Sequence, residues 1–492
     1  MSKFNFPLSK RAIVDNIRDP VVYQFNLARN LALLSDDTSV IRRFYQVEAP
    51  TYFQDQWVIM DNVNRFLAQY RPDNAFSYFG IIPMIVNSKV SLVSGNGFNV
   101  EIDGDDDELQ EVLDTIKERG KFQDLFSAGV YWESGLGDFA YRLGVQHGEP
   151  VIDVIEPHHL EVVYERGQIT SYIVKETAES DPDYELHEIH YTDENGYSCI
   201  SYKFYTNGEY ISEDDVFAIE LCLYVFNMTY ADISSVKLPI KGIATIVYKQ
   251  NAGQNKLYKG QRGVADIQGL DRIEDSLTEA ISGLMDAIRK GGVITYIDQD
   301  MIPQTPEGRN MRFDFFNKTI ISPKGTGDNE GKGKLFQVVQ GDIKWESYIE
   351  PIKTLISTAI NKVGLSPTTI GVTGLESINS SAESQEAREK TSLRTRALAL
   401  RGWVATLRAL FNRYLQLMDY IDDRDILDYS DLIQISFDDY INPSTENITE
   451  VLSRQVEGGL KSKQTAISDL NPEYSEEDIQ NELKQINGQI AQ

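Results

Sequence analysis

Catalysis requires titratable or nucleophilic groups at spacings that one helix face, one strand face or one tight turn brings together, and this chain offers few candidates. Gly135-Leu136-Gly137-Asp138-Phe139-Ala140 fits a dinucleotide fingerprint loosely, but a helix-like segment precedes it and a strand-like one follows. A phosphate held on a helix N-terminus needs the opposite order, which leaves a plain turn. The stretch Gly325 to Lys334 is rich in Gly and Lys, yet neither Gly331-Lys332 nor Gly333-Lys334 has a Gly five residues earlier or a Ser or Thr after it. It is not a phosphate loop. Asp103, Asp105 and Asp107 open like a calcium loop, but Glu108 stands where that loop needs Gly, so a solvated turn at a helix start is expected. His187 and His190 lie on a strand-like run at a spacing that sends them to opposite faces, and the adjacent His158 and His159 have the same defect, so no metal site is expected. No Gly-x-Ser-x-Gly elbow and no His-Glu-x-x-His helix occurs. Cys199 and Cys222 are the only cysteines, too few for a disulfide framework or a four-ligand zinc site, and read as reduced packing residues. No catalytic residue and no cofactor is expected, and the chain reads as a non-enzyme.

The remaining chemical lead is electrostatic. Net charge is −28, distributed as +2 over residues 1–100, −21 over 101–250, +2 over 251–420 and −11 over 421–492. One long block is thus nearly neutral inside a strongly acidic protein. Within it, Ser381 to Met418 carries Arg388, Lys390, Arg394, Arg396, Arg401, Arg408 and Arg413 against Glu383, Glu386 and Glu389. The plain interpretation is a solvated face or ion pairs with acidic neighbours. A chain that grips DNA tightly concentrates Lys and Arg, because phosphate neutralisation supplies most of non-specific affinity; this pattern instead suits a surface that DNA passes without being held.

The elements that would position these groups follow from periodicity. With 492 residues, 41% hydrophobic and 25% charged, the chain can bury several cores, and two to four domains are expected. No window reaches the roughly 18 uninterrupted apolar residues of a membrane helix; the best run, Ala397 to Phe411, is broken by Arg401 and Arg408. Met1 to Arg11 lacks the charged-then-apolar order of a signal peptide, so the protein is expected to stay in the cytosol where it is made. Aromatic anchors Phe44, Tyr45, Trp57, Phe66 and Tyr70 lead to an apolar helical stretch, Ile81 to Val93. After a short strand from Phe98 and a helix to Arg119 whose first turn Asp107 can cap, residues 138–250 read as a mainly antiparallel β domain. Its turns sit at Arg166-Gly167, Asn195-Gly196 and Asn207-Gly208. Val264, Ile267, Leu270, Ile273, Leu277, Ile281, Leu284 and Ile288 then define one amphipathic helix that Gly291-Gly292 stops. Strand-like runs at Val293 to Ile297, Met311 to Phe316 and Leu335 to Val339 flank the Gly- and Lys-rich loop. A second helix starts near Ile343, with Pro351 tolerable only in its first turn or at a kink, and ends at Gly364. A loop of small and hydroxylic residues follows, then the longest helix, Ser381 to about Met418. Its apolar face lies in the second half, so its first turns are expected to project from the core. A strand-like Leu432 to Phe437 and short acidic helices complete the chain.

This order of parts resembles the portal (head-tail connector) proteins of long-tailed double-stranded DNA bacteriophages. Tyr164-Glu165-Arg166-Gly167-Gln168-Ile169 with Tyr172-Ile173-Val174 looks like the family's wing turn, and Gly263-Val264-Ala265-Asp266-Ile267 with Asp271 like the start of its stem. Ser380-Ser381-Ala382-Glu383-Ser384 resembles the opening of its long helix, and Gly458-Gly459 with Ser462 and Thr465 its crown. The resemblance implies an α+β subunit. Its parts would be a wing at 1–262, a first stem helix at 263–290, a clip at 291–342 and a second stem helix at 343–364. A tunnel loop at 365–380, a long helix returning to the wing at 381–442 and a crown at 443–492 would complete it.

It also implies a structural role in the virion, at the portal vertex of the capsid, after assembly in the host cytoplasm. Copies of the chain, about twelve, would close into a ring whose channel carries double-stranded DNA during packaging, retention and ejection. Partners would be the terminase motor, the head-tail adaptor and the major capsid and scaffold proteins, with no membrane. On this resemblance Thr368, Thr369, Val372, Thr373, Leu375 and Asn379 of the tunnel loop would face DNA, and Lys318, Lys324, Lys332 and Lys334 of the clip would dock partners. Two other roles fit less well: another head-completion or adaptor protein has no need of the helix, clip, helix, loop and long-helix series, and a nucleic-acid-processing enzyme would need metal carboxylates or a phosphate loop.

Overall fold

The computed structural model of the chain describes residues 20–44, 78–104, 107–178, 180–251, 262–290, 294–298, 319–322, 336–339, 345–371 and 382–438, with short stretches between 452 and 484. Helices α1 (Pro20–Leu34), α2 (Thr38–Arg43) and α3 (Ile81–Ser94) come first, α2 capped by the Asp37 carboxylate, which accepts from the Ser39 N–H at 2.7 Å. Strand β1 (Asn99–Ile102) leads into α4 (Asp107–Arg119) and α5 (Phe122–Leu136). Asp107 is the first residue of α4, where its charge meets the positive end of the helix dipole.

The expected antiparallel β region then appears as β2 (Asp138–Gln146), β3 (Glu149–Ile155), β4 (Leu160–Glu165), β5 (Gln168–Thr177), β6 (Tyr184–Thr192), β7 (Tyr197–Thr206) and β8 (Glu209–Tyr210). Arg166-Gly167 and Asn207-Gly208 have positive φ at both residues, the geometry whose twist matches flanking strands, and they close the β4–β5 and β7–β8 hairpins. Helix α6 (Val216–Phe226) interrupts this region, before β9 (Val236–Lys241) and β10 (Ile246–Gln250). Its sequence, VFAIELCLYVF, is rich in strand-favouring residues. The helix is set instead by its ends: Asp215 accepts from the Ala218 N–H at 3.1 Å, and Asn227 takes a left-handed conformation at φ 54°. Strands β4 to β8 form one sheet in sequence order with β9 on β7, and β10, β2 and β3 form a second.

Helix α7 (Asp271–Lys290), β11 (Ile294–Asp298), β12 (Thr319–Ser322), β13 (Phe336–Val339) and α8 (Glu346–Lys362) follow. β11 pairs in parallel with β12 and antiparallel with β13. The run Met311 to Phe316 lies outside the described residues. Last come α9 (Ala382–Ile421), β14 (Ile433–Ser436), which pairs with β1, and α10 (Lys463–Leu470), whose start the Ser462 hydroxyl caps by accepting from the Thr465 N–H at 3.1 Å.

Two cores organise these elements. The first joins α1, α2 and α3 to the start of α7 and the end of α8, through Ile82, Ile85, Leu277, Ile356 and Ile360. The second wraps α5, β2 and the β1–β14 pair around the second half of α9, where Trp403, Leu407, Leu410 and Phe411 are fully buried. Phe122 stacks on Phe411 with centroids 4.2 Å apart, an offset aromatic contact of the kind that adds to simple burial.

Three expectations need correction. Val264, Ile267 and Leu270 do not belong to the helix expected from 264: residues 262–270 are non-helical with a turn at 266–269, Gly269 takes φ +74°, and α7 begins only at Asp271. Ile267 and Leu270 are buried all the same, so the three-four spacing reflects burial against the first core rather than helix. Helix α8 begins at Glu346, so Pro351 sits in its second turn and deprives the Ser347 carbonyl of its helical donor. The long helix is not free of the core in its first half either. Glu389, Ser392 and Arg396 are buried, continuing the stripe of Trp403 toward the N-terminus with polar residues.

Candidate functional site

Helices α7 and α8 pack side by side and antiparallel. Lys362 at the end of α8 donates to the Gly269 carbonyl just before α7, at 2.7 Å, while Gly283 near the far end of α7 lies against the Tyr348 ring. One end of the pair is locked into the first core. Glu274 on the first turn of α7 is buried, and its carboxylate accepts from the Gly80 and Ile82 N–H groups at 3.1 and 3.2 Å, occupying the N-terminus of α3. Burial raises the Glu274 pKa and these donors oppose the rise. Arg29 of α1 pairs with Asp271 at 3.1 Å. The other end is bare among the described residues. Met285 is 37% exposed, Ile288 47% and Trp345 55%, so the apolar stripe that sequence periodicity marks runs past what the described residues cover.

The loop after α8 is rooted by hydroxyl groups. Gly364, at φ +71°, ends the helix, and the Thr395 hydroxyl donates to its carbonyl at 2.6 Å. Ser392 on α9 is fully buried; its hydroxyl accepts from the Ser366 N–H at 2.8 Å and bonds the Thr369 hydroxyl at 2.8 Å, while Ser366 bonds both Thr368 and Thr369. Thr368 and Thr369 therefore stand at the root of the loop with their hydroxyls engaged. Val372, Thr373, Leu375 and Asn379 lie outside the described residues, as do Lys318, Lys324, Lys332 and Lys334.

The basic residues of α9 divide by role. Arg396 donates to the Leu92 and Asp438 carbonyls, Arg408 to the Ile433 carbonyl and Arg413 to the Lys241 carbonyl, at 2.7 to 3.0 Å. These three tie the helix to α3, to β14 and the residues after it, and to the end of β9. Lys390, Arg394 and Arg401 remain exposed on one face together with Leu398. Sequence reasoning grouped all of them as one basic surface, since a backbone carbonyl partner leaves no trace in composition.

The motifs tested for chemistry resolve into packing. Gly137, at φ +100°, ends α5, and a Cβ there would come within 2.7 Å of the Gly263 and Ala265 backbone. That close approach accounts for Gly137, while a Cβ on Gly135 would press on the Leu34 side chain at 2.7 Å. Asp138 is buried and paired with Arg262 at 2.5 and 2.8 Å. His187 and His190 do face opposite ways: His187 stacks on Tyr205, and fully buried His190 bonds the Thr245 hydroxyl at 2.8 Å. His158 and His159 differ from expectation, because they lie in the turn after β3, where strand alternation does not apply. Cys199 and Cys222 are buried and unpaired with each other. Among the described residues no helix is long and apolar enough to cross a membrane.

A family model for "Phage portal protein, SPP1 Gp6-like" matches residues 67–492. No curated protein sequence matches significantly. Among solved structures, the chain is similar to one in "Neck of native GTA particle computed with C12 symmetry", at 12% identity and TM-score 0.41, covering 80% of this chain and 89% of that one. It is similar to another in "Virion of native gene transfer agent (GTA) particle", at 12% identity and TM-score 0.40 over 82% and 98% of the two chains. A third is in "Neck of empty GTA particle computed with C6 symmetry", at 13% identity and TM-score 0.42 over 80% and 91%. At these values the structural likeness adds nothing to the family match.

Proposed function

The chain belongs to the SPP1 Gp6-like family of phage portal proteins, a structural and non-enzymatic family of the virion, and from that premise we propose that its copies close into a ring around a channel for double-stranded DNA. The observation that carries the ring is the α7–α8 pair: fixed to the subunit core at one end, it leaves Met285, Ile288 and Trp345 uncovered at the other. Apolar side chains arranged this way are satisfied when a neighbouring copy supplies the missing face, and repetition of one such heterologous contact closes a ring. The parts would then be those of the resemblance: wing to 262, stem helices to 290 and from 343 to 364, clip between them, tunnel loop to 380, long helix and wing return to 442, and crown. DNA would pass between stem walls that carry no excess of positive charge. α7 has five acidic and three basic side chains, and α8 two of each. Phosphates meeting such a wall release few counterions and are not trapped.

The tunnel loop would narrow the channel through Val372, Thr373, Leu375 and Asn379, with Thr368 and Thr369 at its root. The clip, with Lys318, Lys324, Lys332 and Lys334, would dock the terminase motor and later the head-tail adaptor, and the wing would meet the capsid and scaffold proteins during assembly in the host cytoplasm. Light scattering on the purified chain tests the ring: twelve copies of 55.8 kDa give about 670 kDa, and a species that stays monomeric or dimeric under assembly conditions would overturn it. Thr373→Arg places a cation where DNA passes and should slow translocation in a packaging assay; an unchanged rate removes Thr373 from the channel.

A further inference from the structure

The turn after β3 gathers three donor groups in a way that strand alternation would forbid. Glu156 follows the strand, Pro157 reverses the chain, and the His159 N–H bonds the Glu156 carbonyl at 3.0 Å, which brings His158 and His159 back toward the Glu156 side chain. One ligand-type atom of each of Glu156, His158 and His159 lies within 4.8 Å of the others. His158 Nε2 stands 3.1 Å from Glu156 Oε2, and the two imidazole rings are 4.1 Å apart. With metal–ligand bonds of about 2.0–2.1 Å, ligand atoms around a tetrahedral zinc are about 3.3 Å apart. The His158–Glu156 edge already has that length.

Two further observations point to a ligand. His159 Nδ1 lies 2.8 Å from the Lys175 carbonyl on β5. A carbonyl only accepts, so Nδ1 donates here and Nε2 is the nitrogen left to face a ligand; an outer partner of this kind is what orients metal-binding histidines. The backbone that carries the donors is also held in place. Arg262, paired with buried Asp138, donates to the Leu160 carbonyl at 2.9 Å and the Pro157 carbonyl at 3.3 Å, bracketing the turn.

We propose that Glu156, His158 and His159 form a binding site for a divalent transition metal of the zinc class, leaving at least one coordination position open. Two imidazoles and one carboxylate suit zinc and its neighbours, whereas calcium and magnesium favour all-oxygen sets. The bound ion would clamp β3, in one sheet, to β4 and through His159 to β5, in the other. The test is equilibrium dialysis of the full-length protein, stripped with a chelator and then titrated with Zn²⁺, with metal content read by mass spectrometry. One zinc per chain is expected at pH 7, with affinity at least tenfold weaker in His158→Ala/His159→Ala. No stoichiometric zinc in the wild type, or undiminished binding by the double variant, overturns the site. X-ray absorption at the zinc edge of the wild-type protein gives a check that needs no variant: two imidazoles are expected, and fewer than two overturns it.

Discussion

His190 is sealed between sheets, with its Nδ1 on the Thr245 hydroxyl and with Arg142 and Glu188 as its charged neighbours. Burial first, and the Arg142 cation second, lower its pKa from 6.5 to about 3. The folded protein therefore takes up no proton here between about pH 6 and pH 3, while the unfolded chain does, so this stabilising contribution is complete above about pH 6.5 and lost as pH falls. Burial raises the Glu188 carboxyl and acts in the opposite sense in acid, which makes a comparison of variants the informative measurement. His190→Asn keeps a donor for Thr245 and removes the titration. Its melting temperature should fall less than that of the wild type between pH 7 and pH 5, and parallel losses would contradict the assignment. The sequence places His190 on a strand but says nothing of its burial, because the residues that seal it come from β2 and from the segment before β10.

At the level of elements, α9 explains how a polar stretch can be part of a core. Glu389, Ser392, Arg396 and Trp403 share a stripe, and Ser392 and Arg396 reach inward because backbone groups of the α8–α9 loop and of α3 await them. Ser392→Ala leaves the Ser366 N–H without its partner and the Thr369 hydroxyl with only its bond to Ser366, a loss of about 1–3 kcal/mol. Amide exchange over residues 365–371 should accelerate while Trp403 to Leu417 stays protected; uniform protection of both would show that Ser392 does not anchor the loop. Hydrophobic periodicity found the burial of the second half of this helix and missed the buried Ser392 and Arg396 of the first for a simple reason: it detects apolar burial and is blind to polar groups satisfied by carbonyls and N–H groups far along the chain. The same blindness, reversed, joined Val264, Ile267 and Leu270 to α7, where buried turns copied helical spacing. In α6, a strand-like composition was overruled by caps at Asp215 and Asn227.

For the molecule as a whole, the exposed end of the α7–α8 pair is where, in the proposed ring, subunit and assembly would meet. Met285→Glu/Ile288→Glu changes side chains that touch little within the subunit, so the isolated chain should keep its circular dichroism and melting behaviour. Assembly should suffer instead: the variant is expected to scatter as a species of about 56 kDa where the wild type forms rings, since a desolvated carboxylate in an interface costs several kcal/mol. Rings of unchanged mass would place the subunit contact elsewhere. The sequence by itself determined the hairpin turns of the β domain and the existence of the helices α7, α8 and α9, because these depend on residues near one another in the chain. The tertiary structure alone decided which end of the helix pair is covered, which arginines of α9 are tied to carbonyls, why Gly137 and Gly263 must be glycine, and that His158 and His159 converge. Each of those depends on backbone atoms brought close from distant segments, and every residue carries the same backbone, so no side-chain pattern announces them.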